Sequence, residues 1–140
     1  MLVHATTIDI AGLGVLIFGA SGAGKSDIAL RLIGEGALLV ADDQTEVEIV
    51  GARLRASTPK RIAGLIEARG VGVVRAPTKL ATDLRLAVSL IAAEVERMPE
   101  SRTWSLPGQA EPRIPLMELH AFEASSSEKV RRALISVPDA

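Results

Sequence analysis

The sequence contains no cysteine, which removes disulfides, thiolate metal sites and cysteine nucleophiles together. That suits a reducing compartment, and the cytoplasm is the expected location. Aromatic side chains are nearly absent: Phe18, Trp104 and Phe122 are all there are. The core must therefore be built from Val, Leu, Ile and Ala, and an aromatic platform for stacking bases is not expected. Neither sign of charge dominates, with 16 Lys and Arg against 17 Asp and Glu. No overall field or local Lys/Arg cluster is present to hold a polyanion or an anionic membrane, so neither nucleic acid nor membrane is an expected partner. Apolar stretches stop well short of the ~20 residues of a membrane span. The opening Met1-Leu2-Val3-His4 lacks the basic and apolar regions of a leader. At 140 residues the chain fits one domain.

What is present is a succession of short apolar runs punctuated by glycine. Ala5 to Ile10 alternates weakly, Gly12-Leu13-Gly14 supplies a turn, and Val15 to Phe18 has the length of a buried strand. Ile28, Ala29, Leu32 and Ile33 then recur at helical spacing, with Gly34 and Gly36 marking the helix end. Ala37 to Ala41 is a second buried strand, stopping at Asp42-Asp43. Thr45 to Ile49 and Arg53 to Ala56 alternate around Gly51 as a hairpin. Leu65 to Glu67 precedes Arg69 to Val74, read as a further glycine-punctuated strand. Leu84 to Ala93 suits a strand or a helix, and strand is favoured. Pro99, Pro107, Pro112 and Pro115 break the next stretch into short extended pieces, and Ser125 to Ser127 can cap a last helix over Val130 to Ile135.

Gly19-Ala20-Ser21-Gly22-Ala23-Gly24-Lys25-Ser26 matches G-x-x-x-x-G-K-[ST] in full and falls between the first buried strand and the helix. Glycines allow backbone N–H groups close to phosphates, and the following helix presents its positive end. Lys25 reaches the β- and γ-phosphates, and the Ser26 hydroxyl is suited to magnesium. A turn that only joins strand to helix would not explain a lysine there without a carboxylate. Asp42 and Asp43 could be turn formers. In a P-loop protein, though, the carboxylate ending the next strand normally faces the metal. Adjacent residues leaving a strand point apart, so one is expected near the metal and the other toward an incoming hydroxyl. Taken alone, His4 reads as a surface residue and Glu67 as an ion-pair partner of Arg69. Arg75, Arg85, Arg97, Arg102 and Arg113 are candidate phosphate or partner contacts that spacing does not rank.

Together these residues resemble the HPr kinase/phosphorylase family, in a short form consisting of the catalytic domain. The resemblance runs from His4-Ala5-Thr6 through the P-loop and Leu39-Val40-Ala41-Asp42-Asp43 to Ile66-Glu67-Ala68-Arg69-Gly70-Val71-Gly72-Val73-Val74. It implies an α/β P-loop kinase domain of the phosphoenolpyruvate carboxykinase-like type, a mixed sheet with flanking helices. One such domain is expected over residues 1–140, without the amino-terminal domain of longer relatives. The resemblance further implies ATP and Mg2+ as cofactors, HPr (the phosphocarrier of the sugar phosphotransferase system) as the protein phosphorylated on serine, and a homo-hexamer. Residue by residue, it makes Lys25 the phosphate-binding lysine, Ser26, Asp42 and Glu67 metal ligands, Asp43 the base, and His4 and Arg97 catalytic-site residues. The family's late Pro-x-Arg-Pro-Gly-Arg segment, tied to phosphate removal, is replaced by Arg113-Ile114-Pro115-Leu116-Met117. Phosphorylase activity is therefore less expected than kinase activity. A nucleotide-sensing module without transfer and a small-metabolite kinase remain alternatives.

Overall fold

The computed structural model describes residues 1–137. In chain order it contains β1 (Leu2–Val3), β2 (Thr6–Ile10), β3 (Leu13–Gly19), α1 (Lys25–Gly34), β4 (Leu38–Ala41), β5 (Thr45–Val50) and β6 (Arg53–Ser57). These are followed by β7 (Leu65–Ala68), β8 (Gly72–Arg75), β9 (Ala81–Leu90), β10 (Arg102–Trp104), β11 (Ile114–Leu119) and α2 (Ser126–Ile135). The elements form a 9-stranded mixed sheet in the order β1-β5-β6-β9-β3-β2-β4, with β11 and β10 attached beyond β9. The mixed α/β architecture is the one expected. Among the described residues β7 and β8 pair only with each other, so the segment read as one strand after Glu67 is a hairpin turning at Gly70.

β9 organises the sheet because it is long enough to hold different neighbours along its length. It runs parallel to β3 on one side; on the other it pairs with β6 through Ala81 to Asp83 and with β11 through Ala87 to Leu90. Against β3 the register skips Arg85, with Gly14 opposite Leu84 and Val15 opposite Leu86. An extra residue reverses the alternation of faces. Leu84 accordingly packs in the core built with Leu16, Val47 and Leu54, whereas Leu86 and Val88 face the core built with Val15, Ile17, Ile28 and Leu32. Both helices lie against this second core, through Ile28 and Leu32 of α1 and Val130 and Leu134 of α2. The opposite face is covered by strands and by Leu106, Ile114 and Trp104. Burial on both faces removes the apolar–polar alternation that identifies a half-exposed strand, which explains why Leu84 to Ala93 read ambiguously.

α1 ends as its glycines imply. Gly36 adopts φ 109°, its N–H donates to Ile33 O at 3.0 Å, and the Ala37 N–H donates to Leu32 O at 3.0 Å. This paired closure satisfies the last carbonyls and turns the chain directly into β4. β3 and β4 both lie beside β2, and α1 joins them, so the end of β3 and the Asp42-Asp43 corner come together at the start of α1.

Candidate active site

The turn from β3 into α1 is the P-loop. Gly22 and Gly24 hold φ values of 81° and 101°, which side-chain-bearing residues adopt only at a cost. Gly24 is the N-cap of α1, and no side chain caps the helix start. Its first-turn N–H groups are thus left for an anion, and the helix dipole favours negative charge there. Lys25 is 9% exposed, and its Nζ donates to the carbonyls of Gly19 at 3.0 Å and Ala20 at 3.4 Å. A buried ammonium satisfied by its own loop, with no carboxylate partner among the described residues, is free to exchange those carbonyls for phosphate oxygens.

Asp42 is the hub of the site. Its Oδ1 accepts from Ser26 Oγ at 2.7 Å and from Thr6 Oγ1 at 2.9 Å, and its Oδ2 accepts from the Glu67 N–H at 3.0 Å. One carboxylate therefore joins β2, the first turn of α1, the end of β4 and the β7–β8 hairpin. Asp43 follows with φ 65°, a conformation uncommon for a residue with a side chain. Its N–H donates to Thr6 Oγ1 at 3.0 Å. This turn sends the two carboxylates apart: Asp42 inward to its three donors, Asp43 into the exposed cleft. Thr6, with no exposure at all, holds both residues of the pair through one hydroxyl, and nothing in its local sequence marks it.

The cleft over the loop has a volume of about 290 Å³ and is lined by Lys25, Ser26, Asp43 and Glu67. Leu30, Arg69 and Phe122 also border it. The oxygens of Ser26, Asp42 and Glu67 are the hard donors that magnesium prefers, and that ion commonly takes only one or two protein ligands beside substrate phosphates. No group of three or more His, Cys, Asp or Glu side chains poised for a metal occurs among the described residues. The donor set therefore fits a metal shared with a nucleotide better than a closed protein cage.

His4 is exposed and does not line this cleft. The chain on either side of it is nevertheless tied to the Asp corner, Val3 pairing with Thr45 and Thr6 bonding to Asp42 and Asp43. Arg97 is elsewhere. It lines a second cleft of about 700 Å³ with Glu94, His120, Glu123 and Arg132, because the chain leaving β9 crosses toward α2 instead of turning over the P-loop. Among the other arginines, Arg102 pairs with Glu118 at 3.1 Å and Arg113 with Glu111 at 3.2 Å. The Arg113 to Met117 segment enters β11, whose Leu116 is level with Ala87 of β9. The P-loop instead leaves β3 where Gly19 is level with Leu90. That segment thus enters its strand below the end of the parallel strands that carries the loop.

A loop of P-loop sequence on a mixed α/β sheet, with a carboxylate corner facing it, is an arrangement suited to holding a nucleoside triphosphate. Residues 1–97 match the family described as HPr Serine kinase C-terminal domain, and the chain belongs to that family. It is similar to the HPr kinase/phosphorylase of Clostridium tetani, 41% identical over 75 residues that make up 54% of this chain and 25% of that protein. The corresponding protein of Brevibacillus brevis is 47% identical over 77 residues, covering 54% of this chain and 25% of its own length. The chain thus aligns with about a quarter of these relatives. The solved structure of the Hpr(Ser) kinase/phosphatase from Coxiella burnetii has the same fold, with a TM-score of 0.80 at 24% identity, covering 96% of this chain and 88% of that one.

Proposed function

We propose that the chain is a single kinase-type domain that transfers the γ-phosphoryl group of ATP to a serine hydroxyl of HPr. The observation that carries this reading is the division of labour at the Asp corner. Asp42 is committed to three hydrogen-bond donors, while Asp43 faces the cleft beside Lys25 and Ser26. A carboxylate so engaged is a poor base, and one open to the cleft is a usable one.

In this mechanism the P-loop amides and Lys25 hold the triphosphate, and Asp43 accepts the serine proton as the serine oxygen bonds to the γ-phosphorus. The bond from that phosphorus to the β–γ bridging oxygen breaks, and Lys25 offsets charge on the departing diphosphate. A carboxylate is a weak base for a hydroxyl, so its proton transfer comes late, and positioning supplies most of the acceleration. Ser26, Asp42 and Glu67 would hold magnesium, which when bound supplies charge neutralisation across the phosphates. His4 and Arg97 belong to the site only if the exposed segment carrying each closes on the cleft. The proposed setting is the cytoplasm, with assembly into a homo-oligomer. Among the described residues no helix is long and apolar enough to cross a membrane.

The test is transfer of label from γ-labelled ATP to HPr in the presence of magnesium. The expected result is phosphoserine on HPr that disappears in Lys25→Ala and in Asp43→Asn, with ATP binding retained in Asp43→Asn. Wild-type transfer by Asp43→Asn would remove Asp43 as base. ATP binding without transfer to any hydroxyl would favour a sensing module instead.

A further inference from the structure

Three aromatic side chains occur in the chain, and the fold shelters two of them. Phe18 and Trp104 pack together with ring centroids 6.1 Å apart, whereas Phe122 is 69% exposed. Its backbone is nonetheless firmly held. The Arg31 guanidinium donates to the carbonyls of Ala121 and Glu123, and Ser126 Oγ donates to that of His120. Carbonyls on both sides of Phe122 are thus pinned by the two helices, and only its ring is left free.

That ring lies against the P-loop. A Cβ placed on Gly24 would fall 2.9 Å from Phe122 Cζ and 2.5 Å from Ala121 Cβ. The ring therefore borders the cleft at the start of α1, where its apolar companions are Leu30 and Ala68 and the remaining lining is glycine, polar or charged. An apolar ring fixed beside a phosphate cradle has one natural occupant for its open side: the aromatic base attached to those phosphates.

We propose that Phe122 is the base-contacting residue of the nucleotide site, its ring covered by the base of the nucleoside triphosphate held by Gly22 to Ser26. The proposal rests on the reading of this loop as a triphosphate site. Stacking on an aromatic ring is sequence-tolerant because every base has a π-face, and phenylalanine offers no hydrogen bond to distinguish one purine from another. ATP and GTP should accordingly bind with similar affinity.

Calorimetric titration of the whole chain with the magnesium complexes of ATP, GTP and inorganic tripolyphosphate separates base from phosphate contributions. Phe122→Ala should bind ATP and GTP about 10-fold more weakly, and up to about 100-fold, with tripolyphosphate binding unchanged. Phe122→Trp should restore ATP affinity, and its added indole emission should respond to ATP and not to tripolyphosphate. An alanine variant with wild-type ATP affinity, or one that loses ATP and tripolyphosphate equally, overturns the base contact. A wild-type chain that binds tripolyphosphate as tightly as ATP overturns it too, while leaving the P-loop reading intact. A wild-type chain that binds none of the three overturns both.

Discussion

Thr6→Val removes one hydroxyl from a fully buried position while keeping the branched shape of the side chain. That hydroxyl donates to Asp42 Oδ1 at 2.9 Å and accepts the Asp43 N–H at 3.0 Å. A hydrogen bond to a charged acceptor contributes about 1.5–3 kcal/mol, and a buried N–H left without an acceptor costs about 1–3 kcal/mol. Asp42 keeps its bonds from Ser26 and Glu67, and the corner is open enough for water to reach the freed N–H. The low end of both ranges therefore applies, giving a loss of about 2–3 kcal/mol from a total of about 5–15. For a chain this small the urea midpoint should fall by about 1–2 M. The larger effect should be catalytic. Asp43 sits at φ 65°, a conformation costing about 1–3 kcal/mol that persists only where its surroundings enforce it. Once released, the carboxylate shifts, and under the proposed role of Asp43 as base a displacement of about 1 Å from the reacting hydroxyl lowers transfer by about 100-fold. Steady-state phosphorylation of HPr should then show kcat reduced by one to two orders of magnitude with KM for ATP little changed. Thr6→Ser, which keeps the hydroxyl, should recover most of kcat. A valine variant that is destabilised as calculated yet turns over at the wild-type kcat would refute the positioning argument and leave Thr6 a purely structural residue.

Asp9 gives a pH prediction at the opposite end of β2 from the Asp corner. It is 2% exposed; burial pushes its pKa up, but hydrogen bonds from Thr82, the Gly12 N–H and Lys79, with the Lys79 charge, outweigh this and hold it below its ordinary value of 3.8. A depressed carboxylate contributes stability above the unfolded value that is lost as pH falls through the folded one. The unfolding free energy should therefore decline below about pH 4. Asp9→Asn should cost about 1–3 kcal/mol at neutral pH and flatten that decline, as urea titrations between pH 2 and 7 would reveal. At the P-loop, Gly24→Ala combines φ 101° with a Cβ 2.5 Å from Ala121. It should lower the melting temperature and abolish binding of the triphosphate, and a variant that binds ATP normally would contradict the packing described.

The most legible parts of the site were those whose geometry is written locally. The P-loop, the β2–β3 turn at Gly12 and the closure of α1 at Gly36 each depend on a glycine conformation and on residues a few positions away. The same holds for the divergence of Asp42 and Asp43, because the direction of consecutive side chains is a property of the backbone between them. Illegibility also has physical causes. Thr6 looks like any threonine in a strand, and its role arises because β4 pairs with β2 and brings Asp42 within 2.9 Å of its hydroxyl. Phe122, 98 positions from Gly24 in the sequence, reaches the loop only because α1 and α2 share one face of the sheet. For Arg97, resemblance of a short stretch implied a place in the catalytic site, and the path of the chain after β9 sets it in a different cleft.

By itself, then, the sequence determined the cradle: which backbone turns tightly, which lysine and serine follow it, and which pair of carboxylates ends the next strand. These are settled within short spans, where φ preference, periodicity and side-chain chemistry suffice. Tertiary structure decided which carboxylate is spoken for and which is open. It also decided which side chains from distant strands and loops close the cleft, and how β9 divides its edge between β6 and β11. Those outcomes depend on long-range pairing and on burial of both faces of a central strand, which no local pattern records.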